Sequence, residues 1–209
     1  MNVIEQEPPA AVQIFGDRID IARRFADALG RHGEERGLIG PLEPARLWTR
    51  HVLNSAVVAP LISGRVGDVG SGAGLPGLVL AIARPDVEFV LIEPMERRVA
   101  WLTEQVDELE LGNVEVVRAR AEDWRSGPVL DVVTARAVSA LRTLVPITAP
   151  LVRDGGELIL LKGASAANEI AAAEKQLRKS RVTDARVEIV GEGLLDEPTR
   201  VVRASVRAR

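Results

Sequence analysis

The sequence predicts an α/β fold: a mostly parallel sheet covered on both faces by helices, with a helical extension ahead of it and a hairpin at its end. Three observations predict it. From Val66 to Leu177, short apolar runs alternate with helical patterns. The first run, Val66 to Val69, enters a turn with Gly70, Gly72 and Gly74 at every second position, and Leu78, Val79 and Ile82 follow at helical spacing. The last two runs, Val187 to Val190 and Val201 to Val206, are joined by Gly191 to Thr199 with no helix between them.

The elements follow in order. Residues 1–9 are acidic and carry Pro8-Pro9, which predicts a loose end. Val12, Phe15, Ile19, Ala22, Ala26 and Leu29 recur at three and four, so one amphipathic helix is expected from Ala10 to about Gly30. Four turn formers between Arg31 and Pro41 make a loop, and Pro44 suits the start of a second helix over Leu47 to Ile62. On that helix Arg50, His51, Asn54 and Ser55 fall at i and i+4, on one polar face beside an apolar stripe of Trp48, Val52, Ala56 and Ala59.

Beyond the glycine turn, strands are expected at Val87 to Ile92, Asn113 to Arg118, Leu130 to Thr134 and Glu157 to Leu161, the last entered through a turn at Asp154-Gly155-Gly156. Helices carry Val99, Leu102, Val106 and Leu109; a short one follows Glu122; the next has Leu141, Leu144 and Val145, bent at Pro146; the last has Ile170, Ala173 and Leu177. The chain divides into a helical extension, residues 1–62, and a sheet domain, residues 63–209, built as one compact unit.

Composition limits the function. With 46% hydrophobic and 27% charged residues, the 209-residue chain buries a sizeable core. No Cys occurs, which excludes disulfides, Cys-ligated zinc and thiol catalysis, and the two His, His32 and His51, form no motif with metal-ligand spacing. Aromatic residues make up 3%, with no Tyr, so a base-stacking platform is not expected. A net charge of −3 argues against general nucleic-acid binding, and an RNA partner must meet a local basic surface. Neither a signal peptide nor a membrane-length apolar run is seen, and a cytoplasmic protein is expected.

The glycine turn is a site for a nucleotide-like ligand, since a helix N-terminus presents free N–H groups and a positive dipole end. Two ligands fit the letters. Gly72, Gly74 and Gly77 match the dinucleotide pattern G-x-G-x-x-G. Asp68, Gly70, Gly72 and Gly74 match D-x-G-x-G-x-G, the first motif of S-adenosylmethionine-dependent methyltransferases. A carboxylate at the strand's end suits the ammonium of a methionine moiety and gains a pyrophosphate nothing, which favours the methyl donor. The terminal hairpin agrees, because it suits the seven-stranded class I methyltransferase sheet, a Rossmann-like fold.

In such sheets ligands lie beyond the carboxyl ends of the strands, where the other polar residues of interest fall. Glu93 ends the second strand, where a carboxylate can accept from both ribose hydroxyls. Ala121 and Glu122 follow the third and frame an adenine. Arg136 ends the fourth, and a guanidinium there grips phosphate as a fork. Lys162 ends the fifth in a similar role. Lys175, Arg178, Lys179, Arg181, Arg203, Arg207 and Arg209 read as solvated charges.

Together, Arg50-His51-Val52-Leu53-Asn54-Ser55, the Asp68 to Gly77 loop, Arg136-Ala137 and Leu161-Lys162-Gly163 resemble the bacterial small-subunit ribosomal RNA guanine-N7 methyltransferases, the glucose-inhibited division protein B family. The resemblance spans about residues 10 to 207. It implies an S-adenosylmethionine fold with an N-terminal helical extension, and methylation of one guanine in 16S rRNA of the 30S subunit or an assembly intermediate. Loss of such enzymes is associated with low-level streptomycin resistance. The motifs, together with the strand-end positions of Glu93, Ala121 and Glu122, give Asp68, Gly70, Ser71, Gly72, Gly74, Leu75, Pro76, Gly77, Glu93, Ala121, Glu122 and Arg136 as cofactor-binding residues, and Arg136, Lys162, Arg50 and His51 as catalytic ones. No metal is expected, and a monomer is. The alternatives are a small-molecule methyltransferase and a nucleotide-binding module without turnover.

Overall fold

The computed structural model describes residues 4–124 and 129–207. The helical extension comprises α1 (Ala10–Phe15), α2 (Ile19–His32), a π-helical segment Leu47–Leu53, α3 (Asn54–Ala56) and a 3₁₀ turn Ala59–Leu61. Then follow β1 (Arg65–Val69), α4 (Gly77–Ala83), β2 (Glu88–Ile92), α5 (Glu96–Glu108), β3 (Val114–Val117) and β4 (Leu130–Arg136). The last part holds α6 (Leu141–Thr148), β5 (Val152–Lys162), α7 (Ala166–Lys179), β6 (Val182–Val190) and β7 (Thr199–Val206).

The seven strands form one sheet in the order β3-β2-β1-β4-β5-β7-β6. β1 to β5 are parallel, and β7 inserts antiparallel between β5 and β6. The expected sheet and terminal hairpin are both present. The order reverses between β1 and β4, and in open α/β sheets ligands bind in the crevice at the carboxyl ends of such strands.

Alternating strand residues send side chains to opposite faces, and each face has its own core. Val66, Leu91, Val132 and Ile159 pack with Phe25, Leu29, Val52, Leu78 and Trp101, which joins the helical extension to α4 and α5. Val69, Val90, Val133 and Leu160 pack with Leu141, Leu144 and Leu177 on the other face. The extension therefore shares a core with the sheet. No helix among the described residues is long and apolar enough to cross a membrane.

Several local expectations are corrected. Residues 4–9 are not loose: Glu5 N donates to Pro44 O at 2.9 Å, the Glu5 carboxylate accepts from Thr49 N and Oγ1, and Glu7 pairs with Arg23 at 2.6 Å. The first helix is broken at Gly16, whose φ of +50° leaves the helical region and opens a 3₁₀ turn, Gly16–Arg18. The second loses its regular spacing in the π-helical segment and ends in the turn at Pro60, which has no N–H to continue it.

The turn expected at Asp154-Gly155-Gly156 lies inside β5, where the pairing with β4 shifts register as at a β-bulge and Gly155 takes φ +71°. After β3, residues 121–123 form a turn, so Glu122 starts no helix among the described residues. Arg203 is no free surface charge: its guanidinium meets Glu157 at 2.9 and 2.8 Å. Arg209 lies outside the described residues.

Candidate active site

Asp68 is fully buried at the end of β1 and closes the glycine turn on itself. Its Oδ2 accepts from Gly77 N, the first residue of α4, at 3.0 Å, while Ser71 Oγ donates to the Asp68 carbonyl at 2.9 Å. Burial pushes the carboxyl up to about 7. Its other oxygen, Oδ1, is buried with no hydrogen-bond partner among the described residues. On the next strand Thr134, paired in register with Asp68, also has a buried hydroxyl without one.

Glu93 holds the turn from the second strand. It is buried, with one oxygen accepting from Gly72 N at 3.0 Å and the other from Met95 N at 2.9 Å. From below, the indole N–H of Trp101 donates to Ala73 O at 3.1 Å. The Leu75–Pro76 peptide bond is cis.

The glycines have different reasons. A Cβ on Gly77 would lie 2.4 Å from Leu91 Cδ2 and 2.5 Å from Asp68 Oδ2, so this glycine lets the helix start pack against the strand. Gly72 takes φ +56°, and a Cβ there meets nothing closer than 3.7 Å. Of Gly70, Gly72 and Gly74 it is the one where a Cβ would meet its neighbours at no less than ordinary contact distance, so the room at the turn lies there. Asp68 Oδ1, enclosed at the foot of the same turn without a hydrogen-bond partner among the described residues, is the kind of acceptor that an aminoacyl ammonium needs. Ala121 is buried and Glu122 exposed, in the loop after β3.

A cleft of about 1510 Å³ opens beside this turn, between the helical extension and the ends of β4, β5 and the β6–β7 loop. Val138, on its wall, reaches the turn itself: a Cβ on Gly70 would come within 2.8 Å of Val138 Cγ2. Arg46, Arg50, Arg136, Lys162 and Arg200 supply its positive charge, and Glu169, Asp196 and Glu197 its negative charge. Arg46 and Arg200 were not marked in the sequence, where they are two more arginines in an arginine-rich chain.

The four polar residues of the second helix do not share one open face. Arg50 and Asn54 line the cleft, while His51 and Ser55 turn inward and are buried. There they meet Arg136. Its Nη1 donates to His51 O at 3.2 Å and Ser55 Oγ at 3.1 Å, and its Nη2 donates to His51 Nδ1. Burial, with Arg50 nearby, lowers the guanidinium to about 10, so it stays charged at neutral pH. Burial and Arg136 push His51 down to about 4, which leaves the imidazole neutral.

Glu43, on the loop before the π-helical segment, completes the group. Its Oε2 lies 2.5 Å from His51 Nε2 and 3.3 Å from Arg50 Nε, and its Oε1 lies 2.7 Å from Arg46 Nη2. Burial would raise this carboxyl, but the bonds from His51 and Arg46 outweigh it and hold it below the ordinary value. No sequence pattern marks Glu43. Lys162 is tied as well: its Nζ donates to Ser139 O at 2.5 Å and Glu169 Oε2 at 3.0 Å, and Glu169 also accepts from Leu141 N, the start of α6.

Known proteins agree with this architecture. The family model described as GidB, rRNA small subunit methyltransferase G, matches residues 18–198. "Ribosomal RNA small subunit methyltransferase G" of Leifsonia xyli subsp. xyli is 67% identical over 205 residues, covering 98% of both chains. The protein of the same name from Clavibacter michiganensis subsp. michiganensis is 64% identical, covering 98% of this chain and 97% of its own. Among solved structures, the S-adenosylmethionine-dependent methyltransferase SibL in its apo form superposes with a TM-score of 0.61 at 18% identity, over 94% of this chain and 70% of that one, a likeness of fold. With agreement of this extent along nearly the whole sequence, the chain belongs to the rRNA small subunit methyltransferase G family.

Proposed function

We propose that this chain transfers a methyl group from S-adenosylmethionine to N7 of one guanine in 16S rRNA, presented in the 30S subunit or an assembly intermediate. The observation that carries the reading is the junction of the glycine turn with the cationic cleft at Gly70 and Val138. A donor held at the turn and an RNA held in the cleft meet there. The proposal takes a monomer as the acting unit.

Asp68 and Gly72 hold the aminoacyl part of the donor, and Glu93 and the Ala121–Glu122 loop hold its nucleoside. When bound, S-adenosylmethionine supplies a methyl group made electrophilic by its sulfonium. Guanine N7 carries a free lone pair at neutral pH, so the chain needs no general base. Its work is to align and to exclude water, and good alignment alone supplies roughly 7–11 kcal/mol.

Arg136 does the aligning on the RNA side. Of its five N–H donors, three go to His51 and Ser55. The Nε–H and one Nη2–H remain, the side edge of the fork, which suits a phosphate in bidentate fashion. Lys162, with one ammonium N–H left over, fixes the cleft floor at Ser139 and the start of α6. Arg50 adds charge at the rim, and His51 holds Arg136 from beneath.

Labelled donor incubated with 30S subunits from a strain lacking the modification tests the reading. The expected product is a single N7-methylguanine in 16S rRNA. Label appearing instead in a metabolite extract would favour a small-molecule acceptor, and donor binding without any product would favour a binding module.

A further inference from the structure

We propose that Glu43 is a positioning residue for the methyl transfer, acting through His51 to keep the side edge of Arg136 turned to the cleft. The inference rests on the function proposed above and adds a residue to it. A guanidinium has no lone pair, so its bond to His51 Nδ1 requires that nitrogen to be the acceptor. The neutral ring then carries its proton on Nε2, and that N–H donates to Glu43 Oε2 at 2.5 Å. The direction of every bond in the chain Glu43–His51–Arg136 is thereby fixed.

Without Glu43, Nε2–H loses its acceptor and the competing tautomer, with the proton on Nδ1, becomes accessible. That tautomer presents N–H to N–H against Arg136 and turns the fork away. Glu43 also gathers Arg46 and Arg50, so one carboxylate organises the basic wall contributed by the helical extension. Its role toward Arg136 needs only an acceptor, whereas its role toward the two surface arginines needs a charge. The two roles can therefore be separated.

The experiment compares wild type, Glu43→Ala, Glu43→Gln and Arg136→Ala with undermethylated 30S subunits, measuring kcat, KM for the subunit and affinity for S-adenosylmethionine. Glu43→Ala is expected to lower kcat about tenfold or more, the scale of one lost charge-assisted, partly buried hydrogen bond, with donor affinity unchanged. Glu43→Gln, whose amide carbonyl still accepts from Nε2–H, restores kcat and raises KM alone. The chain has two histidines, so long-range ¹H–¹⁵N spectra resolve His51, which is expected as the Nε2–H tautomer at neutral pH.

Wild-type kcat in Glu43→Ala, or a kcat in Glu43→Gln as low as in Glu43→Ala, overturns the proposal. So does an Nδ1–H tautomer in the wild-type spectrum, a reading that stands even where Glu43→Ala fails to fold. Full activity in Arg136→Ala would instead overturn the function assigned to Arg136, which keeps the two failures apart.

Discussion

Arg136 reaches from the end of β4 across to the helical extension and donates to the ring nitrogen Nδ1 of His51. A cation thus spends part of its bonding capacity inside the protein at the very edge where substrate is expected. Two physical facts make this workable: the guanidinium keeps its charge when buried, and the histidine it touches is neutral.

Although the motifs also place Arg136 among the donor-binding residues, the proposed function puts it on the RNA side of the cleft, so Arg136→Ala is expected to slow methylation about 100-fold or more for a lost charge-assisted fork, while the affinity for S-adenosylmethionine stays as in wild type. Arg136→Lys does not rescue it, because an ammonium cannot reach His51, Ser55 and a phosphate with one planar group. Steady-state kinetics beside calorimetric donor binding check both. Equal loss of donor affinity in Arg136→Ala would contradict the assignment.

With Asp68 holding the donor's ammonium as proposed, donor binding is expected to depend on pH. Its folded carboxyl titrates near 7, and only the ionised form attracts an ammonium. Below that value affinity is expected to fall on the order of tenfold per pH unit, and Asp68→Asn should bind weakly with a flat profile. Stability of the ligand-free protein has the opposite slope. Between the ordinary value of 3.8 and about 7 the folded carboxyl keeps a proton the unfolded one has lost, so stability declines as pH rises through that window. His51, lowered from 6.5 to about 4, opposes it, since stability is lost as pH falls through its own window. Thermal unfolding of Asp68→Asn against wild type from pH 5 to 8 isolates the Asp68 contribution.

Two glycines of one turn should fail differently. Gly77→Ala drives a methyl into Leu91 and Asp68, and about 1–3 kcal/mol of stability is lost to overpacking. Gly72→Ala costs about 1–2 kcal/mol for the left-handed conformation, and its methyl enters the space assigned to the donor. Donor affinity therefore drops far more than stability. Chemical denaturation and donor titration of both variants give the comparison.

Trp101 tests how the turn is supported from behind. Trp101→Phe keeps an aromatic ring but empties part of the buried indole's space and leaves the Ala73 carbonyl without the indole N–H, a loss of about 1–3 kcal/mol for the unpaired group alone. Donor affinity should fall although Trp101 does not line the cleft. An unchanged dissociation constant would show that the turn holds its shape without it.

The strands and the glycine turn were legible because each rests on a local signal: apolar runs of strand length, and glycines where the backbone bends. The breaks in the extension were not. Val12 to Leu29 keeps its helical period straight through Gly16, and the period says nothing about one residue's change of φ. The bulge in β5 hid behind Asp154-Gly155-Gly156, letters that a turn and a bulge share. At the site, Asp68 and Arg136 stood out as charges at apolar strand ends. Glu43 did not, because its meaning lies in three partners, Arg46, Arg50 and His51, that only the folded loop brings to one carboxylate. The ordered segment at 4–9 was missed for the same reason: Glu5 and Glu7 find their partners far along the chain.

Because His51 and Ser55 come from the helical extension and Arg136 from the sheet, neither part carries the whole of the proposed site. A chimera that grafts another enzyme's extension onto this sheet would need to bring the acidic, imidazole and hydroxyl partners together as one cassette. Trimming the chain back to its sheet would take His51 and Ser55 from Arg136 and uncover the apolar face that the two parts share, so the smallest folded unit includes both parts.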